Sequence, residues 1–433
     1  MQEGGSGMNK ARVIVVGGGF SGIAAAIAAN KAGAQATLLE RTDMLSGAGL
    51  RAARLYHNLK IVGGEEAKAL GGGEVFEALE SILLHRGNII DEVGAFIYNT
   101  VLVDTTMRKL VEASGVELHM ESRAVEVEKE NGALKAVTTH SGERFPGDAF
   151  VDASGTFGEL SNCIQYGYGC VMCHNRCLFF GDRVSIATKA GAEELHWTRP
   201  DGKPGALGAG IALYKESLSA ELRAILRKEG TCTIPIPEEL IDYDRLKQIS
   251  AARGPREVSH INLVDIGLSA KCVGIGNFRL ANLRKIPGFE NAQIEYPMGG
   301  GGSGNVANMS FTPRENSLRA KGFANIFIAG NKTGMGGIVE SVFTGVLAGS
   351  NAARVAFGKQ PIELPRSTAI GDMIAYRGER MATSGDLRVA LSMAHGVYYE
   401  RMKELGFDSS DPAVIHKRID ALGLTNILSQ KLA

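Results

Sequence analysis

The stretch from Arg12 to Arg41 constrains the fold of this chain more than any other. Its sequence, RVIVVGGGFSGIAAAIAANKAGAQATLLER, passes from a β-branched run through three glycines and an alanine-rich segment to a second apolar run. An apolar run without a polar break is typical of a parallel strand that is buried on both faces. The sequence therefore predicts a continuous unit of strand, turn, helix and strand.

The glycines of the turn are Gly17, Gly19 and Gly22, which satisfy the pattern GxGxxG. In a dinucleotide-binding turn, the first glycine permits the tight bend, the second lets a pyrophosphate approach, and the third lets the helix pack on the strand. Glu40 ends the second apolar run, where a carboxylate can bind the hydroxyls of an adenosine ribose. We therefore expect a bound dinucleotide, and a tightly packed corner without a ligand is the alternative.

Composition narrows the class of protein. A chain of 433 residues is long enough for two or three domains. Its 47 basic and 47 acidic residues balance, so the net charge does not favour binding to nucleic acid or to a membrane surface. No apolar run reaches the length of a transmembrane helix, and the opening MQEGGSGM lacks the apolar core of a secretory signal. We expect a cytoplasmic protein without a membrane partner, in which residues 1–7 are a linker or tag.

Later segments show the same kind of pattern. Strand-like runs between residues 116 and 151 predict a small β-meander that leads back to the main sheet, ending in FVDASG at residues 150–155. The segment ANIFIAGNKTGMGGIVESVFTGVLAG then predicts a strand, a glycine-rich turn over residues 330–337 and a helix. That turn would offer a second anion site for a flavin phosphate or the flavin ring, with close packing of helix on strand as the alternative.

Several of these segments resemble known FAD proteins. FVDASG resembles the ATG-type motif of glutathione-reductase-type proteins, and IAGNKTGMGGIVESVFTGVLAGSNAAR closely resembles the C-terminal FAD segment of the glucose-inhibited division protein A family. Within that family, LRKIPGFENAQIEYPM is similar to the preceding stretch of the folate- and FAD-dependent tRNA uracil-5-methyltransferase branch. The resemblance covers the first glycine motif, residues 150–155 and roughly 278–356.

The resemblance implies an α/β protein with a glutathione-reductase-type FAD-binding Rossmann fold, an α+β substrate insert and a small helical C-terminal region. We expect a linker at residues 1–10 and an FAD-binding domain assembled from 11–160 and 321–360. A cysteine-bearing insert would occupy 161–320, and the helical region 361–433.

The expected FAD contacts lie in the two glycine-rich turns, at strand ends and in the loop after Glu40, which could also be a plain surface loop. They are Gly17, Gly19, Gly22, Glu40, Arg41, Gly47, Ala124, Ala153, Gly155, Gly330, Asn331, Gly337 and Ile338.

The chain departs from both branches of the resembling family. The methyltransferase branch uses a cysteine soon after the ribose-binding acid, and residues 42–60 contain none. We therefore predict no methylation of uracil, unless a cysteine from residues 163–177 folds back to replace it. The larger tRNA-modifying branch carries a longer helical C-terminal region that contacts a partner subunit and tRNA.

Four of the six cysteines, Cys163, Cys170, Cys173 and Cys177, fall within one short stretch. Thiolates at such spacings could ligate an iron–sulfur cluster such as [4Fe–4S], which we rank first. A redox disulfide between Cys170 and Cys173 ranks second and a zinc site third. Free buried cysteines are the plain structural alternative.

The sequence thus predicts an FAD-dependent oxidoreductase that passes electrons between the flavin and a cysteine-liganded cluster or disulfide, with Cys170 and Cys173 as catalytic residues. NAD(P)H would be the reductant, a small molecule or redox carrier the partner, and a homo-oligomer the assembly. The alternative is a folate- and FAD-dependent RNA uracil-5-methyltransferase or a related tRNA-modifying flavoprotein, for which nucleic acid would be the partner.

Overall fold

A computed structural model describes residues 11–57, 59–87, 95–156, 173–196, 206–207, 211–241, 243, 259–273, 279–295, 307–308, 310–383 and 391–432. In this part of the chain the strands are β1 (Arg12–Val16), β2 (Gln35–Leu39), β3 (Arg54–His57), β4 (Leu83–Arg86), β5 (Ala95–Tyr98), β6 (Glu117–His119), β7 (Ala124–Glu130), β8 (Ala133–Thr139), β9 (Arg144–Pro146), β10 (Ala149–Asp152), β11 (Leu195–His196), β12 (Ala206–Leu207), β13 (Ile211–Tyr214), β14 (Thr231–Pro235), β15 (His260–Asp265), β16 (Ser269–Val273), β17 (Ala307–Asn308), β18 (Ser310–Phe311) and β19 (Ile326–Ile328).

The α-helices within the same residues are α1 (Phe20–Lys31), α2 (Gly49–Ala52), α3 (Val62–Ala69), α4 (Glu74–Glu80), α5 (Val103–Ala113), α6 (Cys177–Phe180), α7 (Ile186–Ala190), α8 (Ala220–Glu229), α9 (Leu280–Leu283), α10 (Ile338–Ala356), α11 (Ala369–Thr383), α12 (Gly396–Glu404) and α13 (Pro412–Ala421). Among the described helices, none is both long and apolar enough to cross a membrane.

A parallel sheet in the order β19–β10–β1–β2–β6 forms the centre of the fold. Val13 pairs with Ala149 on one side and with Ala36 on the other, so β1 lies in the middle. The chain leaves β1 toward β2 and later returns to its opposite side as β10. The switch point between β1 and β10 is where ligands bind at the carboxyl ends of strands in open α/β sheets.

Helices α1 and α10 cover this sheet and contact each other closely. A Cβ atom added to Gly345 would lie 2.2 Å from the carbonyl oxygen of Ser21, and one added to Gly349 would lie 2.0 Å from that of Ala25. Only glycine permits this approach, because a real Cβ atom would overlap the backbone of α1. The small residues of the long helix therefore set its distance from the nucleotide-binding helix.

The predicted meander is partly wrong. Strands β7, β8 and β9 form a three-stranded antiparallel sheet, but β6 pairs in parallel with β2 and is the edge of the main sheet. Helix α5 supplies the crossover that a parallel pair requires, and the spacing of apolar residues does not reveal which sheet such a short strand joins.

A second hydrophobic core lies in the insert. The antiparallel sheet β13–β16–β15–β14 packs its apolar face with α8 and the segment after α9, burying Leu226, Leu263 and Phe289. Strands β3, β5 and β4 form a further, three-stranded antiparallel sheet.

The C-terminal helices pack back on the rest of the molecule. The buried carboxylate of Glu66 accepts hydrogen bonds from Ala369 N and Ile370 N at the start of α11, each at 2.9 Å, and from Arg418 of α13 at 2.8 Å. Asp411 caps α13 by accepting from Ala413 N at 2.9 Å.

Candidate functional site

The glycines of the first turn have two different roles. A Cβ atom on Gly17, whose φ is 108°, would lie 2.4 Å from the carbonyl oxygen of Ala153, and one on Gly22 would lie 1.7 Å from that of Gly17. Both positions are closed by packing. A Cβ atom on Gly19 would meet nothing nearer than the carbonyl oxygen of Ser46, at 4.0 Å. Gly19 therefore faces space, as a glycine beside a ligand should.

The N-terminus of α1 opens into the same space. Gly19 is its N-cap residue and offers no side chain to the N–H groups of the first turn. Unsatisfied N–H groups at a helix start attract an anion through their dipoles.

Ser46 completes this turn from the loop after β2. Its backbone N–H donates to Gly18 O at 2.7 Å, and its φ of 78° is rare for a residue other than glycine. The buried Ser46 Oγ has no hydrogen-bond partner among the described residues. A strained residue with an unsatisfied hydroxyl is typical of a ligand site, so the turn fits a pyrophosphate group.

Glu40 lies at the end of β2 beside this turn. Its Oε2 accepts from Gly18 N at 2.6 Å, and its Oε1 accepts from Thr42 N at 2.8 Å and from Thr42 Oγ1 at 2.9 Å. These bonds fix the carboxylate and leave lone pairs for further donors. The side chain is thus held where the sequence predicts a ribose contact.

The other residues predicted to contact FAD differ in how they are placed relative to this turn. Gly47 lies against Gly19, since its added Cβ would be 3.3 Å from Gly19 Cα, and Gly155 has a positive φ with nothing within 4 Å of an added Cβ. Arg41 donates to Gly181 O and so points toward the insert. Ala124 begins β7 and is buried in a hydrophobic cluster, which is a packing position.

The second glycine-rich turn combines packing with a cavity. An added Cβ on Gly330 would lie 2.7 Å from Ser21 Oγ, so this glycine serves the approach of the turn to α1. Asn331 Oδ1 accepts from Ser341 Oγ at 3.3 Å. Gly337 is the N-cap residue of α10 and Ile338 its first residue.

The N-terminus of α10 lines a small cavity of about 30 Å³, enough for one or two water molecules. Its walls come from Leu55, Lys60, residues 336–340 and residues 392–395. Glu340 lies here, and burial raises its pKa to about 7, although its carboxylate accepts from Met393 N at 2.7 Å. A group that titrates near neutral pH therefore stands at the start of this helix.

A buried ion pair that the sequence did not reveal joins the strand ends. Lys332 Nζ lies 3.0 Å from Asp152 Oδ2, and both side chains are fully buried. Ser185 and Ala187 of the insert also donate to Asp152, at 2.6 and 3.0 Å. Burial alone would raise the pKa of Asp152, but the charge of Lys332 and these hydrogen bonds lower it below its usual range. The carboxylate that Lys332 holds in place thus connects Ser185 and Ala187 of the insert to the central sheet.

The segment after residue 172 folds back over the loop that follows β2. Arg176 forms a salt bridge with Asp43, and Arg41 reaches Gly181 O. Cys173 is half-buried, and its Sγ accepts a hydrogen bond from Asn175 Nδ2 at 3.5 Å. The residue that makes this salt bridge, Arg176, follows the predicted catalytic Cys173 by three positions.

The predicted metal site has no support in the described part of the chain. There, no group of three His, Cys, Asp or Glu side chains is placed to hold a metal ion. Cys177 begins α6, whereas Cys163 and Cys170 lie outside the described residues. The expected iron–sulfur cluster is therefore without support, as are the zinc site and the Cys170–Cys173 disulfide.

Charged groups from three distant segments meet at the junction with the insert. Arg51 binds Glu295 through two nitrogens, at 3.0 and 3.1 Å, and Lys271 Nζ donates to Arg51 O at 3.0 Å. Burial, and then the charges of Arg54 and Arg51, lower the pKa of Lys271 to about 7. No motif marks these residues, because they are brought together only by the tertiary fold.

Comparison with known families supports FAD as the cofactor. The family described as "FAD dependent oxidoreductase" matches residues 12–162, and that described as "Glucose inhibited division protein A" matches residues 269–360. The resemblance predicted from the sequence is thereby confirmed, and the chain carries an FAD oxidoreductase-type domain.

Curated relatives share one segment with the chain. Methylenetetrahydrofolate–tRNA-(uracil-5-)-methyltransferase TrmFO of Enterococcus faecalis is 43% identical over 98 residues, and that of Caldicellulosiruptor bescii is 45% identical over 93 residues. Each match covers 22% of this chain and 21% of the relative. The chain thus matches about a fifth of the length of these enzymes.

Solved structures extend the similarity to the fold. GidA of Aquifex aeolicus superposes with a TM-score of 0.67 in one crystal form and 0.64 in another, at 19% and 20% identity. The first superposition covers 96% of this chain and 77% of GidA. The predicted glutathione-reductase-type Rossmann fold with C-terminal helices is confirmed.

Proposed function

We propose that this protein is an FAD-dependent enzyme that modifies tRNA. The observation that carries the FAD assignment is the turn at Gly19, where open space, an uncapped helix start and the unsatisfied Ser46 Oγ coincide. The tRNA assignment is supported by the segment that the chain shares with tRNA uracil-5-methyltransferases.

In this proposal the chain binds the two ends of FAD at its two glycine-rich turns. Gly19, Ser46 and Gly47 receive the pyrophosphate at the N-terminus of α1, and Glu40 receives the ribose hydroxyls. The first turn of α10, at Gly337 and Ile338, faces the flavin end. When bound, FAD supplies hydride or single-electron transfer, with NAD(P)H as its reductant.

Cys173 is our candidate for the thiol of the reaction. The loop over residues 42–60 lacks the cysteine of the resembling methyltransferases, but the Arg176–Asp43 salt bridge holds the Cys173 segment against that loop. Cys170, the other predicted catalytic cysteine, lies outside the described residues.

The first test is tRNA binding by the FAD-loaded protein. We expect an affinity that falls steeply between about 50 and 200 mM salt, since phosphate contacts release counterions. Fluorescence anisotropy with labelled tRNA measures it, and a DNA duplex of equal charge is the control. Equal affinity for the two nucleic acids, or none for tRNA, would refute the tRNA assignment.

The second test identifies the product. The loaded protein is incubated with unmodified tRNA, NADPH and methylenetetrahydrofolate, and the digested nucleosides are analysed by mass spectrometry. We expect a modified uridine that is absent with Cys173→Ser and present with Ser410→Ala, a control at an exposed position. If Cys173 replaces the cysteine that residues 42–60 lack, this product is 5-methyluridine, and the prediction of no uracil methylation is wrong. A different modified uridine would uphold that prediction, whereas an unchanged tRNA would refute the proposed activity.

A further inference from the structure

Two basic side chains and a buried imidazole converge where the insert sheet meets the loop after β2. Arg51 comes from α2, Lys271 from β16, and His174 from the segment that folds back over this loop. Lys271 and His174 are only 5% and 4% exposed. Glu295, which binds Arg51 through two nitrogens, is the one acidic partner that the described residues supply to this trio.

Lys271 is buried without a carboxylate partner in the described part of the chain. Its ammonium group donates to two carbonyl oxygens at the end of α2, Arg51 O at 3.0 Å and Ala52 O at 3.4 Å. Burial and the charges of Arg54 and Arg51 lower its pKa to about 7, so the protonated form is costly. Proteins rarely bury a cation beside others unless an anion compensates it.

His174 gives a second, independent sign of a missing ligand. Neither of its ring nitrogens has a hydrogen-bond partner among the described residues, although the ring is almost fully buried. The charges of Arg51 and Lys271 both act on this ring, which places it in the same cluster. A buried imidazole normally has at least one partner, because an unsatisfied polar group in the interior costs free energy.

We propose that Lys271, Arg51 and His174 bind an oxyanion of the substrate, which is a phosphate group when the substrate is tRNA. Lys271 would give its third N–H, and His174 would donate from one ring nitrogen, so both unsatisfied groups acquire a partner. Arg51 adds charge that Glu295 only partly offsets. The assignment of this phosphate to tRNA rests on the proposed function, whereas the oxyanion site itself does not.

This oxyanion is distinct from the pyrophosphate of FAD. The pyrophosphate is expected at Gly19 and Ser46, at the N-terminus of α1, where backbone N–H groups provide the positive end of a dipole. Lys271 instead binds carbonyl oxygens at the opposite, C-terminal end of the next helix, and it belongs to the insert rather than to the nucleotide-binding unit.

The test measures inorganic phosphate binding to the FAD-loaded protein by isothermal titration calorimetry. Lys271→Met removes the charge at similar volume, and Lys228→Met, at a side chain that is 82% exposed on the same insert, is the matched control. We expect Lys271→Met to weaken phosphate binding at least about tenfold, since it removes a charged hydrogen bond, and Lys228→Met to leave it unchanged. Phosphate should also raise the thermal midpoint of the parent protein and not that of Lys271→Met.

Two results would overturn the inference. Equal phosphate affinity in the Lys271 and Lys228 variants would show that the cluster binds no oxyanion. Tenfold tighter phosphate binding by FAD-free protein than by loaded protein would assign the anion to the cofactor instead.

The same variants separate this inference from the proposed function. If Lys271→Met loses phosphate binding but the parent protein does not bind tRNA, the oxyanion site stands and the tRNA assignment fails. If tRNA binds and is modified while Lys271→Met binds phosphate as the parent does, the function stands and the oxyanion site fails.

Discussion

The glycine turn at the end of β1 and the cationic junction at Lys271 lie in neighbouring parts of the fold, yet they are built in different ways. The turn is formed by contiguous residues, joined by Ser46 from the next loop. The junction combines Arg51, His174 and Lys271 from three separate segments, and the contact between Lys271 and Arg51 joins residues that are 220 positions apart. A local motif thus places one ligand group, and only the packed tertiary structure can place the other.

The largest effect is expected at the turn itself. Gly19→Val puts a side chain into the space that the pyrophosphate requires, and we expect FAD affinity to fall at least about 1,000-fold, or ~4 kcal/mol. Because an added Cβ at Gly19 meets nothing nearer than 4.0 Å, the variant should still fold. Absorbance at the flavin bands and circular dichroism check the two expectations.

Gly22→Val is the matched contrast within the same motif. Its Cβ would lie 1.7 Å from Gly17 O, so this variant should lose folded structure rather than the cofactor alone. A Gly19→Val protein that keeps stoichiometric FAD would mean that the turn does not hold the pyrophosphate.

The second prediction concerns the buried ion pair between the carboxyl end of β10 and the turn after β19. Lys332→Met leaves Asp152 as a buried carboxylate without its cation, and we expect the free energy of unfolding to fall by about 3–5 kcal/mol. Chemical denaturation measures it. Lys321→Met, at an exposed lysine between β18 and β19, is the control and should change stability little. Equal stability of the two variants would mean that the pair does not anchor the insert.

The third prediction is a pH dependence at the start of α10. Burial raises the folded-state pKa of Glu340 from 4.5 to about 7, so the folded protein binds more protons than the unfolded chain between these values. Stability must then fall as pH rises from 4.5 to 7. Glu340→Gln, which stays neutral, should gain about 3 kcal/mol over the parent protein across this window.

Denaturation curves at pH 4.5 and 7.5 test this difference, with Glu404→Gln on the exposed face of α12 as the control. His395 lines the same cavity, so the comparison is repeated in a His395→Gln background. A Glu340→Gln variant whose advantage is the same at both pH values would show that this carboxyl is not the titrating group.

Much of the nucleotide-binding fold could be predicted because its signals are local. These signals are the glycine spacing, the acid at Glu40 and the small residues of α10. Each one reflects contacts with residues nearby in sequence or the close packing of one helix on another. The role of Gly330 was less accessible, since its contact with Ser21 depends on how α10 lies on α1. The edge strand β6 was assigned to the wrong sheet for a similar reason. A strand of three residues shows the same alternation of apolar and polar side chains in either sheet.

The insert was predicted less well because its chemistry is not periodic. The cysteine spacing suggested a metal centre, and the described residues give that centre no support. The groups that are unusual in the structure, Lys271 and His174, carry no sequence signal, since a single lysine in a strand looks like a surface residue. Their burial arises from the contact between the insert sheet and α2, which no short pattern encodes.

The smallest effect is expected at Ser46, which comes from the loop after β2 and completes the glycine turn. Its hydroxyl is buried without a partner among the described residues, so Ser46→Ala removes an unsatisfied group and should leave stability unchanged or slightly higher. If that hydroxyl donates to the pyrophosphate of FAD, the same variant should weaken FAD binding by about fivefold to tenfold, or ~1 kcal/mol. Titration of FAD into stripped protein measures the affinity, with Ser81→Ala on a distant turn as the control.

A variant that keeps or gains stability while it loses FAD affinity indicates a hydroxyl held for a ligand. A hydroxyl that serves packing would instead change stability and affinity in the same direction. Loss of stability without loss of affinity would remove Ser46 from the site and leave Gly19 and the start of α1 to bind the cofactor without it.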